Sequence, residues 1–236
     1  MTDRTDAAVP LESAPPAKAS VSGIVLAGGY SRRFPDMDKA LVSHAGRPLL
    51  AHAVDALAGV ADEVVVNCRA DQVESFAAAL PSTSIRFAVD DVPDAGPVAG
   101  LERGLAAAGG SHALVLPCDR PRVPPALLAR LLDAARDCSG AVARFDGRRR
   151  HFPLAVAVGA GFTAARSLSS DGASIAGFLD ALGPAALAEL PEHETSALAG
   201  ECAFHDIDTP ADLRRIEAAH SSGDGASLTV QVDREE

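Results

Sequence analysis

Lysine is almost missing from this chain. Of its 21 Lys and Arg residues only Lys18 and Lys39 are lysines, and Lys18 lies in a polar N-terminal stretch. Positive charge is short overall, at a net −11, which argues against a nucleic-acid or anionic-membrane partner, since either requires a net basic face. Any local basic spot becomes informative as a result. The four cysteines, Cys68, Cys118, Cys138 and Cys202, lie far apart and form no C-x-x-C pair. That fits neither a zinc site nor a disulfide framework, and each reads as a small buried hydrophobe in a reducing cytosol. The first twenty residues lack the basic start and apolar stretch of a signal peptide, and no apolar run approaches membrane-spanning length. The expectation is a soluble cytoplasmic protein. A Walker lysine motif, a G-x-G-x-x-G and any arguable Ser-His-Asp or Cys-His spacing are also missing, which disfavours an ordinary NTPase and a dinucleotide oxidoreductase.

What is present centres on Gly23 to Leu41. There an apolar run breaks at Gly28-Gly29 into a loop with Arg32 and Arg33, and Lys39 follows ten residues after the second glycine. A buried strand that ends in two glycines frees backbone N–H groups to approach an anion, and the cations beside it supply charge. The glycines alone would read more readily as a turn with solvated arginines. Lys39 tips the balance, as a compact ammonium kept in a composition that otherwise writes arginine.

A length of 236 residues with 47% hydrophobic content supports one domain with a real core, expected over 21–219 between flexible tails at 1–20 and 220–236. Lys39 to Val42 reads as a short extended piece, and Gly46-Arg47-Pro48 as the opening of a helix that runs to Gly59. Glu63 to Asn67 reads as a strand, Asp71 to Leu80 as a helix stopped by Pro81, and Ile85 to Val89 as a strand ending in an acidic loop. A helix then runs from Gly96-Pro97 to near Gly109, followed by a strand at Ala113 to Leu116. This alternation predicts βαβ units and a mostly parallel sheet, with Gly28, Asn67, Asp90 and Asp119 along its carboxyl edge. The second half is less regular. A helix at 124–136, a strand near 141–144, a basic turn at Asp146 to Arg150 and an apolar stretch at 154–158 come first. Helices near 161–168 and 174–182 follow, then a stretch to Glu201 with little pattern. Phe204 to Asp208 reads as extended, and Thr209-Pro210 as the cap and first residue of a helix to about Ala219.

Asp119 follows a fully apolar strand and is framed by Pro117 and Pro121, a placement suited to holding Mg²⁺. A turn aspartate is the plain alternative. Asp206 and Asp208 are expected on opposite faces of their segment, so that only one reaches the site; either could equally serve a helix start. Arg148, Arg149, Arg150 and His151 form the only dense basic run, readable as a seat for a second anionic substrate or as a solvated hairpin tip.

Taken in order, LAGG-x-x-x-R (Leu26 to Arg33), Asp38-Lys39, VVVN to Asn67, the Asp90 loop before GPVAG, PCDRP (Pro117 to Pro121) and DIDTPADL (Asp206 to Leu213) resemble the molybdenum cofactor guanylyltransferase family. The resemblance spans about 21–219 and is weak between about 160 and 203. It implies a Rossmann-like three-layer α/β/α sandwich of the nucleotide-diphospho-sugar transferase kind. It also implies transfer of GMP from GTP to the terminal phosphate of molybdenum-bound molybdopterin, with Mg²⁺ as cofactor. Carried over, Leu26, Ala27, Gly28 and Gly29 would line GTP, Lys39 would meet its phosphates with Arg33 nearby, and Asn67 and Asp90 would hold the nucleoside. Asp91 is a neighbouring candidate for the Asp90 role. Asp119 would bind Mg²⁺, with Asp208 as a second ligand, and Arg148 to Arg150 would face the pterin substrate. Partners implied are GTP and molybdopterin, with transient contact to molybdenum-cofactor or molybdoenzyme proteins. Phe34-Pro35 stands where the family usually places Met-Gly, and Asp206-Ile-Asp208 where it often reads Asn-x-Asn. Rival readings are a related nucleotidyltransferase using CTP or a sugar phosphate, and a non-catalytic nucleotide-binding regulator.

Overall fold

The apolar run after Ser20 becomes a buried strand whose side chains alternate between two cores. Ile24 shares one apolar cluster with Val65 and Val115, while Val25 shares the other with Val66 and Leu116. The computed structural model describes residues 20–221 apart from 31–32, 35–36, 81–84, 93–94 and 169–172. The expected tails lie almost wholly outside the described residues, as do Arg32, Pro35 and Pro81.

In chain order the strands are β1 (Val21–Leu26), β2 (Ser43–His44), β3 (Arg47–Pro48), β4 (Glu63–Cys68), β5 (Ile85–Val89), β6 (His112–Pro117), β7 (Gly140–Phe145), β8 (Arg148–Ala157) and β9 (Leu187–Leu190). The helices are α1 (Leu49–Ala58), α2 (Val73–Ala79), α3 (Pro97–Ala107), α4 (Pro125–Ala135), α5 (Val158–Ser167), α6 (Ile175–Leu182), α7 (Glu192–Leu198) and α8 (Pro210–Ser221). Seven strands form one sheet in the order β5-β4-β1-β6-β8-β7-β9, parallel except for β8, which runs antiparallel to both neighbours. Helices α1, α2 and α4 cover one face through Leu50, Leu57, Phe76, Leu127 and Leu131. Helices α3, α5 and α6 cover the other through Leu101, Leu105, Ala165 and Phe178. This is the Rossmann-like three-layer α/β/α sandwich, and the short apolar runs at the middle of its central strands follow from burial on both faces. Among the described residues no helix is long and apolar enough to cross a membrane.

Register brings the carboxyl ends level. Leu26 pairs with Asn67 on one side and Pro117 on the other, and Asn67 pairs with Ala88. Gly28, Asn67, Asp90 and Asp119 therefore leave the sheet along one edge, as the alternation predicts.

Several local expectations differ from the structure. Lys39–Leu41 is a turn of 3₁₀-helix and not extended, because the Asp38 side chain accepts from Ala40 N at 3.0 Å and caps it. Arg47–Pro48 pairs with β2, so α1 begins at Leu49 with Pro48 as its N-cap. The basic turn shrinks to Asp146-Gly147, both at positive φ, and Arg148 to Arg150 belong to β8, which continues to Ala157. Two consecutive positive-φ residues match the twist of a tight hairpin, and Asp-Gly is suited to them. Val158 opens α5, and the weakly patterned stretch before Glu201 contains β9 and α7. Their short segments carry too few apolar positions to show a period. Phe204 closes a 3₁₀ turn, Glu201–Phe204, so only the residues after it are extended. All four cysteines are unpaired, but only Cys68 and Cys118 are buried, since Cys138 lies in the α4–β7 connection and Cys202 in the 3₁₀ turn Glu201–Phe204.

Candidate active site

Two adjoining cavities open along the carboxyl edge, of about 340 Å³ and about 310 Å³, sharing Leu26 and Gly29 in their walls. The first holds Arg33, Lys39, Asp119 and Asp208; the second holds Gly28, Asn67, Asp90, Gly100 and Phe152. A larger cavity of about 630 Å³ lies between α3 and α5, but neither Lys39 nor Asp119 lines it. Lys39, Asp119 and Asp208 therefore make the smaller pair the candidate site, while Asp90 also lines the larger cavity.

At the first end, the Lys39 ammonium bridges two carboxylates, Asp119 at 2.7 Å and Asp208 at 3.0 Å. Lys39 and Asp119 are 19% and 17% exposed, so solvent screens this pair little. Arg33 reaches Asp208 at 3.4 Å from a much more exposed position. Asp119 arrives from the end of β6, where Cys118 N donates to Leu26 O. Asp208 arrives from the far end of the chain. Ile207 N donates to Asp119 O at 3.0 Å, and the fully buried Ile207 packs with Val42, Leu49 and Ile216, alongside Phe34. Asp206 turns to Arg120 at 2.6 Å. Residues two apart on an ideal strand would share a face. These two part because the segment belongs to no strand and each carboxylate is captured by a different cation. One of them, Asp208, reaches the site.

Burial opposes the Lys39 charge, yet the Asp119 carboxylate and its hydrogen bond outweigh it and hold the ammonium protonated well above the ordinary lysine range. Burial pushes the Asp119 carboxyl above its usual range, with Lys39 pulling it back. Among the described residues nothing hydrogen-bonds to the buried oxygen Asp119 Oδ1. Burial also pushes the Cys68 thiol up to about 12 and raises Cys118, so neither is poised as a nucleophile.

The second end carries one carboxylate and is tightly packed. Asn67, 2% exposed, donates through Nδ2 to Ala88 O at 3.1 Å and to Asp90 Oδ1 at 2.7 Å. Burial raises the Asp90 carboxyl, and the Asn67 bond moderates the shift. Gly28 lies against Asp90, where an added Cβ would sit 2.5 Å from Asp90 Oδ2. At Gly100 an added Cβ would overlap Asn67 Oδ1. Asp91 instead faces outward and pairs with Arg103 at 3.3 Å.

Arg148 to Arg150 extend beyond the carboxyl end of β6, because β8 runs antiparallel to it and Leu154 already pairs with Val115. Arg149 is paired with Glu189, Arg150 lies over the rings of Phe145 and Phe204 at 5.7 and 5.6 Å, and Arg148 is exposed. Sequence reasoning assigned no role to Arg69, Gln72 or Arg120. Arg69 donates to the carbonyls of Gly28 and Gly29 and Gln72 to that of Ala27, while Arg120 ties Asp206 to Phe152 O. Their only signal was proximity, two to five residues past Asn67 and one past Asp119.

A glycine loop, a half-buried lysine and a carboxylate gathered at the carboxyl edge of a doubly covered α/β sheet define a nucleotide-handling protein of the Rossmann-like class. The model of the MobA-like NTP transferase domain matches residues 23–186. A probable molybdenum cofactor guanylyltransferase of Haloferax mediterranei is 36% identical over 197 residues, covering 84% of this chain and 93% of the relative. A molybdenum cofactor guanylyltransferase of Acidiphilium cryptum is 32% identical over 214 residues, covering 87% and 98%. In fold, the chain is similar to the crystal structure of molybdopterin-guanine dinucleotide biosynthesis protein A from Archaeoglobus fulgidus, with TM-score 0.70, 24% identity, and coverage of 85% of this chain and 99% of that one. The chain belongs to the molybdenum cofactor guanylyltransferase family of MobA-like NTP transferases, and is a nucleotidyltransferase.

Proposed function

We propose that this protein transfers GMP from GTP to the terminal phosphate of molybdenum-bound molybdopterin, releasing pyrophosphate. The observation that carries the reading is the division of the cleft. A lysine clamped between two carboxylates stands at one end, buried Asn67 bonded to half-buried Asp90 at the other, and the glycine loop between them. A nucleoside triphosphate has the same polarity, with the base toward Asn67 and Asp90 and the phosphates toward Lys39 and Arg33.

The acceptor phosphate is already anionic near neutral pH, so no strong general base is required. One of its oxygens attacks the α-phosphorus of GTP, and the bond to the β-phosphate oxygen breaks as pyrophosphate leaves. The chain's part is to hold two anions in line and offset their charge. Loop amides from Gly28 onward, beside Leu26 and Ala27, meet the phosphates, and Lys39 is held protonated to do the same. The buried, unbonded Asp119 Oδ1 suits a hard cation, so Asp119, with Asp208 beside it, would hold Mg²⁺. Bound there, the metal would neutralise phosphate charge that develops on the leaving group. Arg148, exposed at the hairpin with Arg149 and Arg150, is the candidate contact for the acceptor. Four unpaired cysteines agree with a cytoplasmic enzyme.

Incubation with Mg²⁺, molybdenum-loaded molybdopterin and either GTP or CTP, followed by mass detection, tests the reading. The guanine dinucleotide is the expected product. Preference for CTP, or GTP binding without product, sinks the proposal.

A further inference from the structure

Three successive carbonyls of the glycine loop are gripped by two side chains from the β4–α2 connection. Arg69 Nη1 donates to Gly28 O at 3.0 Å and to Gly29 O at 2.7 Å, and Gln72 Nε2 donates to Ala27 O at 3.3 Å. In a trans peptide the C=O and N–H point in opposite directions. Each captured carbonyl therefore turns an amide, those of Gly28, Gly29 and Tyr30, away from Arg69 and Gln72. The guanidinium is itself fixed, with Nε and Nη2 each 3.1 Å from an oxygen of Asp71 and the Tyr30 ring centroid 4.4 Å away. Gln72 is buried, and its Oε1 accepts from Arg69 N at 2.8 Å.

The same two side chains reach the other end of the loop. Gln72 Nε2 also donates to Asp38, and Arg69 Nη2 lies 3.7 Å from Asp38 Oδ2. Asp38 caps the turn that carries Lys39. We propose that Arg69 and Gln72 are positioning residues that staple the glycine end and the lysine end of loop 27–41 together, so that backbone amides and the Lys39 ammonium meet one triphosphate in a prearranged geometry. This rests on the nucleotide reading above. Donors set in advance need no reorganisation as charge moves in the reaction, which is where such a staple acts. Lysine cannot replace Arg69, because one ammonium cannot serve two carbonyls while gripping Asp71 with a planar fork.

Tyr30 is the only tyrosine of a chain without tryptophan, so its fluorescence reports this loop alone. Time-resolved anisotropy on the full chain, without nucleotide, compares wild type with Arg69→Lys and Gln72→Ala. The expected result is a larger fast-motion component in both variants, including Gln72→Ala, with cooperative melting near the wild-type temperature. With GTP and molybdopterin, kcat falls about ten-fold in Arg69→Lys and KM for GTP changes less. Unchanged Tyr30 motion in both variants overturns the staple. So does loss of melting temperature with kcat and KM displaced in parallel, which marks a merely structural role. A wild type that makes no guanine adduct sinks the guanylyl reading by itself, since the anisotropy measurement contains no nucleotide.

Discussion

The two ends of the cleft are built by opposite means. At the lysine end, charges from three distant segments, Lys39, Asp119 and Asp208, meet within hydrogen-bond distance, and the energy depends on ionisation. At the asparagine end, Gly28, Asn67, Asp90 and Gly100 fit so closely that two of the four have no room for a Cβ. Under the proposed reading, phosphate charge is met by charge that a metal or proton can reset, whereas the nucleoside is met by shape, which only repacking can alter.

Substitution at the charged end should cost turnover most. Lys39→Ala is expected to lower GTP-dependent adduct formation by about a thousand-fold, on the scale of losing a key electrostatic donor in a water-poor site. Near-wild-type single-turnover rates would break the contrast. The packed end should fail differently. Gly100→Ala drives a Cβ into Asn67, which is pinned by two hydrogen bonds, so overpacking costs about 1–3 kcal/mol, measured by denaturant melts. KM for GTP should rise about ten-fold or more in that variant, with kcat less affected.

A pH series sharpens the comparison further. Burial raises Asp90 in the folded state, so the folded protein binds its proton more tightly than the unfolded chain and loses stability as pH rises through the carboxylate range. Asp90→Asn is therefore expected to melt higher than wild type at pH 7, and the gain to vanish as pH falls below that range, where wild-type Asp90 is neutral too. Nucleotide affinity should drop in the same variant. A stabilisation that persists in acid would refute the burial argument. The smallest effect belongs to Thr209→Ala. Thr209 Oγ1 accepts from Asp212 N at 3.2 Å and starts α8 just after Asp208, so its loss should cost about 1 kcal/mol in a thermal melt. Turnover should fall only modestly if Ile207 and Lys39 hold Asp208 in place.

Much of this was legible in the chain of residues. Short apolar runs between glycine, proline and acidic loops specify buried parallel strands of five or six residues, and their shared carboxyl edge follows from right-handed crossovers. Gly28, Asn67, Asp90 and Asp119 could be placed there because each ends such a run or follows it within three residues. Lys39 stood out as a rarity, although its 3₁₀ turn did not, since that conformation is set by one Asp38 cap. Other features depended on contacts across long separations, which local periodicity does not encode. Asp208 is chosen over Asp206 because a backbone bond from Ile207 to Asp119 and a small apolar cluster aim it at Lys39. Arg69 and Gln72 became part of the site only when β4 docked beside β1 and brought the glycine carbonyls within reach. Sequence by itself determined the parallel βαβ half of the sheet and the edge at which its strands end, because strand burial and crossover handedness are properties of the chain read locally, whereas antiparallel β8 and the β9–α7 segment carried no such local signal. Tertiary structure alone decided which charges pair and which way the glycine loop faces, because partners 80 or 169 residues apart meet only after the core has closed.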